Sequence, residues 1–176
     1  MNIKDMTKIS LFTAITVVCS QISLQIGAIP FTLQTFAVFL GAAVLGFKKG
    51  VLSTLIYILL GVVGLPVFSG FRGGIGVLFG TTGGYIWGFL ISAAVVGFMT
   101  EKFGKSLPVT ICSMILGLIL CYTVGSLQYM MLYTKGPIGF GAVVSACVLP
   151  FIPADAVKIL LAALISTKLK PFTRLF

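Results

Sequence analysis

Six apolar stretches separated by short joints run the length of the chain, at about residues 9–26, 33–47, 51–68, 83–99, 107–133 and 139–166. A helix crossing the hydrocarbon layer needs about 20 mostly apolar residues. The pattern therefore predicts six membrane-spanning helices. The second stretch is short for a crossing, so residues 29–32 are expected to continue it or to line something beside it. The first stretch has no small-x-small cleavage site, and its apolar run exceeds the usual leader core, so it is read as a helix that stays in the protein.

The basic residues sort the joints by side. Lys4 and Lys8 precede the first stretch, Lys48 and Lys49 lie between the second and third, and Lys102 and Lys105 lie between the fourth and fifth. Lys168, Lys170 and Arg174 follow the sixth. These nine fall on one face of the membrane, against only Arg72 and Lys135 on the other. Positive charge marks the cytoplasmic side, so both termini are placed there.

Composition narrows the class. Of 176 residues 59% are hydrophobic and 9% charged, and the mean hydropathy is +1.19. A typical soluble domain carries about 25% charged residues, so neither a dispersed soluble fold nor a disordered chain fits. The net charge of +9 does not point to nucleic acid. The basic residues sit in short clusters at segment ends, and none tracks a phosphate backbone.

There is no histidine, which excludes a His-ligated metal, a histidine base and a thiol–His pair. Cys19, Cys112, Cys121 and Cys147 each lie alone in an apolar run and are expected to be small buried residues. No nucleotide-binding signature occurs, so the chain has no ATP site of its own. One acid lies within the membrane region, Asp155, with Lys158 three residues on. Pro150 and Pro153 break the sixth stretch near Pro153. Asp155 then falls in the first turn of a new helical section, where free N–H groups favour a carboxylate. Asp155 and Lys158 share a helix face. Counting back from Lys168, Lys158 lies about 15 Å and Asp155 about 20 Å above the cytoplasmic end. Two readings stand: an ion pair locking helices together, or anchors for a neutral polar solute with both donors and an acceptor. The second is favoured.

Residues 64–88 hold nine of the chain's 21 glycines. They read as a long outer loop folded back toward the membrane, which is tolerated only against protein or a cavity. Gly76, Gly80, Gly84 and Gly88 recur every four residues, the mark of close helix packing. Arg72 has no acid on its side of the membrane, so it is either solvated or held ready for a carboxylate. Tyr85 is expected to line a site, and Trp87 to sit in the interfacial belt. Gln34, at the outer start of the second stretch, pairs with a neighbouring helix or with a ligand amide.

The segment at residues 29–35, the glycine-rich run, and Pro153-Ala154-Asp155-Ala156-Val157-Lys158 resemble, in that order and spacing, the BioY family of biotin-specific substrate-binding subunits (S components) of energy-coupling-factor transporters. Thr81 stands where that family usually has a proline before Thr-Gly-Gly-Tyr. The resemblance implies an all-α integral membrane protein, with residues 1–176 forming one transmembrane domain. Its six transmembrane helices would form an S-component-like bundle, with an outer re-entrant loop between helices three and four. It implies a non-enzymatic subunit without cofactor, catalytic or metal residues, multi-pass in the bacterial cell membrane. Its partners would be biotin, the lipid bilayer, an EcfT-like membrane coupling subunit and two cytoplasmic ATPases, with no nucleic acid. Asp155 and Lys158 would anchor biotin, joined by Arg72, Gln34, Tyr85, Thr32 and Phe31, and Phe71 would help cover its rings. The alternative is a self-sufficient secondary carrier using Asp155 and Lys158 as its coupling site.

Overall fold

The fold is seen in a computed structural model that describes residues 2–26, 29–133 and 139–175. Helix α1 (Ile3–Gln21) leads into a hairpin of β1 (Ser23–Ile26) and β2 (Ile29–Thr32), followed by α2 (Gln34–Leu45) and α3 (Phe47–Val62). A long loop carrying the single-turn α4 (Ile75–Leu78) leads to α5 (Gly83–Lys102) and α6 (Leu107–Leu132). Then come α7 (Phe140–Cys147), a 3-10 turn (Leu149–Phe151) and α8 (Ile152–Leu175). The architecture is helical apart from the hairpin. Among the described residues, three helical segments are long and apolar enough to cross a membrane: α5, α6 and the run Phe140–Leu169.

Two boundaries differ from the sequence expectation. The first apolar stretch does not stay helical to residue 26. From Ser23 the chain alternates polar and apolar residues, Ser-Leu-Gln-Ile, and period two favours a strand. Leu24 pairs with Phe31 and Ser23 with Thr32 in an antiparallel ladder. Residues 29–32 therefore do not extend the second helix; they line the space beside it. The third helix stops at Val62 rather than reaching Phe68, because Gly64 takes a φ of +106° and Pro66 follows. The loop beyond folds back as expected. Val67, Phe68 and Leu78 bury against Tyr57, Ile58 and Ile86. A Cβ on Gly61 would lie 2.0 Å from the Phe68 ring, so only glycine admits it.

Helix α2 forms the centre. Ten of its twelve residues are buried, which suits a helix that is apolar all round. Phe39, Ala42 and Ala43 pack with Ala93, Met114, Ala162 and Ala163 in one cluster. The expected break in the last segment is present: the 3-10 turn separates α7 from α8 and leaves Asp155 in the first turn of α8. Leu11, Val18, Ile91, Ile119 and Leu160 are exposed around the bundle, an apolar surface suited to lipid. Cys121 and Cys147 are buried and Cys19 partly so. Cys112 is exposed instead, on the same outward stripe of α6 as Ile115, Leu116 and Ile119.

The end of the bundle that carries the clustered lysines is tied by two acids. Glu101 Oε1 accepts the Phe47 N–H (2.9 Å), capping α3, and a Cβ on Gly46 (φ +82°) would lie 2.1 Å from that oxygen. Lys49 Nζ lies 2.5 Å from Asp5 Oδ1, joining α1 to α3. This bond holds the Asp5 carboxyl below its usual range. The stability it contributes is present above the unfolded carboxyl value and is lost as pH falls through the lowered one.

Close approach of α5 and α6 depends on glycine. A Cβ on Gly84 would come within 2.8 Å of the Val124 carbonyl oxygen, and one on Gly88 within 2.8 Å of Cys121 Cα. Gly76, although it shares their spacing, faces open space. The packing expectation thus holds for Gly84 and Gly88 and not for Gly76. Gly88→Leu should destabilise the detergent-purified protein by about 1–3 kcal/mol or more, while Gly76→Ala leaves the melting temperature nearly unchanged. Equal effects of the two would contradict this packing. Wild type should also melt slightly above Asp5→Asn at pH 7, with the gap closing as pH falls below the ordinary carboxyl range.

Candidate functional site

A buried polar cluster sits where the hairpin, α6 and α8 meet. Asp155 and Lys158 are 4% and 5% exposed, deep enough that neither is left to water. Lys158 Nζ donates to Asp155 Oδ1 (2.7 Å) and to the Thr32 carbonyl oxygen (2.7 Å). It also lies 3.8 Å from the centroid of the Phe31 ring, a cation–π contact. Tyr122 OH donates to the other carboxylate oxygen, Asp155 Oδ2. Phe31 stacks on Phe151 at 6.1 Å with 13° between the ring planes. Every charge in the cluster therefore has a counter-charge and at least one further polar partner, which burial at this depth requires. The sequence reading left the pair open to a solute; the structure gives both groups protein partners, with the hairpin backbone and Tyr122 supplying them.

These groups line a cavity of about 80 Å³ between the hairpin, the re-entrant loop and helices α5, α6 and α8. Gln34 and Tyr85 line it too. Gln34 Nε2 donates to Tyr57 OH (2.6 Å), and Tyr57 OH donates to the Val67 carbonyl oxygen (3.1 Å), so this amide fixes the re-entrant loop to α2 and α3. Tyr85 OH is 3.5 Å from Ser126 Oγ. Arg72 stands at the outer rim. Its Nε donates to the Ser69 carbonyl oxygen (3.0 Å), and no acid pairs with it among the described residues. Arg72, Pro30, Ser69 and Thr82 also border a second, polar cleft of about 330 Å³ further out, which Ser23 and Thr81 complete. The site is thus a small inner chamber with a fixed ion pair at its base and a polar vestibule with a free-facing guanidinium.

The profile of the family described as "BioY family" matches residues 1–174. The chain belongs to the BioY family. Among BioY relatives, the "Biotin transporter BioY" of Thermotoga maritima is 42% identical over 95% of this chain and 96% of its own length. The "Probable biotin transporter BioY" of Pyrococcus horikoshii is 40% identical over 97% and 98%. Among solved structures, one described as the S-component for biotin from an ECF-type ABC transporter superposes with a TM-score of 0.85 at 25% identity. It covers 96% of this chain and 92% of that one. The fold is therefore S-component-like, that of a membrane transport subunit and not of an enzyme.

Within this BioY chain all seven residues singled out from sequence (Phe31, Thr32, Gln34, Arg72, Tyr85, Asp155 and Lys158) line the one cavity. Phe71 is not among its lining residues; it projects from the loop tip, 72% exposed. Trp87 also lies off the cavity. The sequence reading did not include Tyr122 or Phe151. Tyr122 was findable. Counted from Lys105, it sits about 25 Å up α6, within a tyrosine's reach of the depth calculated for Asp155. A phenol in the middle of a long apolar run needs a partner at that depth. Phe151 carried no such signal, since it is one apolar residue among many.

The Gln34–Tyr57 bond yields a check on this geometry. Tyr57→Phe removes the acceptor for the buried Gln34 amide, while Ser20 Oγ still donates to the Val67 oxygen at 2.5 Å. The expected cost is about 1–3 kcal/mol, read as a lower melting temperature, and Gln34→Leu in the same background should recover part of it.

Proposed function

We propose that this chain is the biotin-binding S component of an energy-coupling-factor importer. It captures biotin from outside and delivers it inward with a coupling module. The observation that carries this reading is the buried Asp155–Lys158 pair beneath a polar vestibule in a BioY chain. Biotin's ureido group offers two N–H donors and one carbonyl acceptor. Asp155 accepts from a ureido N–H, and Lys158 donates to the ureido oxygen, which takes the place of the Thr32 carbonyl. Phe31 and Tyr85 cover the fused rings, with Thr32 and Gln34 completing the wall. The valerate tail points outward through the vestibule to Arg72, whose planar donors suit a carboxylate. The inner chamber of about 80 Å³ holds only a handful of waters. Biotin therefore enters by separating Lys158 from the hairpin, and the hairpin shifts outward.

The same reading makes residues 1–176 one transmembrane unit of six crossings, formed by α1, α2, α3, α5, α6 and the α7–α8 segment. The short α2 crosses inside the bundle, where neighbouring helices rather than lipid surround it. Both termini lie in the cytoplasm, because the lysine-rich joints between α2 and α3 and between α5 and α6 lie at one end with the start of α1. Since the chain carries no nucleotide-binding signature, energy comes from a membrane coupling subunit and two cytoplasmic ATPases, as expected for an S component.

Calorimetry of the detergent-purified chain against biotin tests the assignment. Asp155→Asn and Lys158→Met should each weaken binding at least about 100-fold, since each leaves a buried charge without its partner. Arg72→Gln should weaken biotin roughly 10-fold and leave the affinity for biotin methyl ester, which lacks the anionic tail, almost unchanged. Wild-type affinity in both Asp155→Asn and Lys158→Met would sink the assignment. An Arg72→Gln effect equal for acid and ester would reassign the vestibule.

A further inference from the structure

Helix α6 packs against both α7 and α8 without filling the space between the three. Between them runs a groove of about 580 Å³, bordered by residues from Ile111 to Ser126 on α6, Val144 on α7, and Ile152 and Ala156 on α8. Its span along α6 is about 22 Å, most of the hydrocarbon thickness of about 30 Å. Only Tyr122, Thr123 and Ser126 bring polar side-chain atoms to the wall. Those hydroxyls are engaged elsewhere: Tyr122 with Asp155, Thr123 with the Ile119 carbonyl oxygen, and Ser126 within 3.5 Å of Tyr85 OH. A groove with no polar group to spare does not hold ordered water. In a bilayer the species that meets it is hydrocarbon.

A neighbouring protein helix fits poorly. Close helix packing wants small residues, whereas this wall is mostly Ile, Leu, Val and Phe. A single extended chain has the right length and an apolar surface to match this wall. Tyr122 lines both this groove and the polar cavity. Its ring meets the lipid side, while its hydroxyl holds Asp155.

We propose that the groove is a binding site for one acyl chain of a membrane phospholipid, seated against the lipid-facing edge of Tyr122. The site stands on the groove itself and does not depend on which solute Asp155 binds. Full-length protein in phosphatidylcholine nanodiscs, doped with a phosphatidylcholine carrying a mid-chain diazirine, provides the test. On illumination, adducts at Ile115, Ile119 and Ile152 should exceed those at Leu11 and Val18, exposed on α1, by at least about tenfold. A Val144→Trp/Ala156→Trp double variant, which fills the groove, should abolish that excess and leave the α1 adducts unchanged. Native mass spectrometry of detergent-purified wild type should retain one adduct of phospholipid mass. Equal labelling of groove and α1 would mean annular lipid only and overturn the proposal, whether or not the filled variant folds. An adduct of fatty-acid mass, or no adduct, would overturn it as well.

Discussion

One aspartate and one lysine, a helical turn apart and sealed from water, set the terms for everything around them. Neither charge is tolerated in a low-dielectric interior without the other and without further hydrogen bonds. Those bonds come from three different elements. The β2 backbone supplies the Thr32 carbonyl, α6 supplies Tyr122, and α8 carries the pair itself. The pair therefore does more than join two residues on one helix. It ties the hairpin to α8 and fixes α6 against α8 at the level of Asp155. Loss of either charge leaves the other unmatched, so packing and site chemistry share a single point of failure.

The pair sits at a defined place because the last helical segment is broken. Pro150 and Pro153 end α7 in a 3-10 turn, and α8 begins with Asp155 in its first turn. There the unpaired N–H groups and the helix dipole favour a carboxylate. Across the bundle, Gln34 and Tyr57 fix the re-entrant loop from the opposite side. The chamber is thus framed by two polar networks, one ionic and one neutral. Each anchors an irregular segment, the hairpin in one case and the loop after α3 in the other.

Much of this was legible in the chain. Asp155 stood out as the lone acid in an apolar sequence, and the prolines located the break before it. The lysine-rich joints marked one end. The glycine-rich run announced a long loop after the third helix, whose start then followed from Gly64 and Pro66. Other features were hidden for physical reasons. Ser23–Ile26 lies in a hydrophobic context, so its alternation of two was masked by the longer apolar run and was read as helix. Gly76 shares the spacing of Gly84 and Gly88, but periodicity does not say which glycines face a neighbour. Tyr122 becomes legible once its depth, counted from Lys105, is set beside that of Asp155. Phe151, one apolar residue among many, becomes so only when the helices are paired, and pairing is a property of the fold.

The placement of the three acids carries the argument furthest. Asp5 ties α1 to α3, Glu101 caps α3, and Asp155 is committed to Lys158 and Tyr122. Two acids brace the lysine-rich end and the third closes the chamber, so none among the described residues is left for Arg72. A guanidinium at a polar vestibule with no internal counter-ion creates a region of positive potential at the entrance, and an anion that reaches it gains attraction at little cost in desolvation. Below it, the chamber presents a charge pair of zero net charge. The site is thus polar in two different ways along one axis, cationic at the mouth and neutral but strongly hydrogen-bonding at the base. A solute matched to it carries its negative charge and its uncharged donors and acceptors at opposite ends, separated by an apolar middle that the aromatic walls can cover.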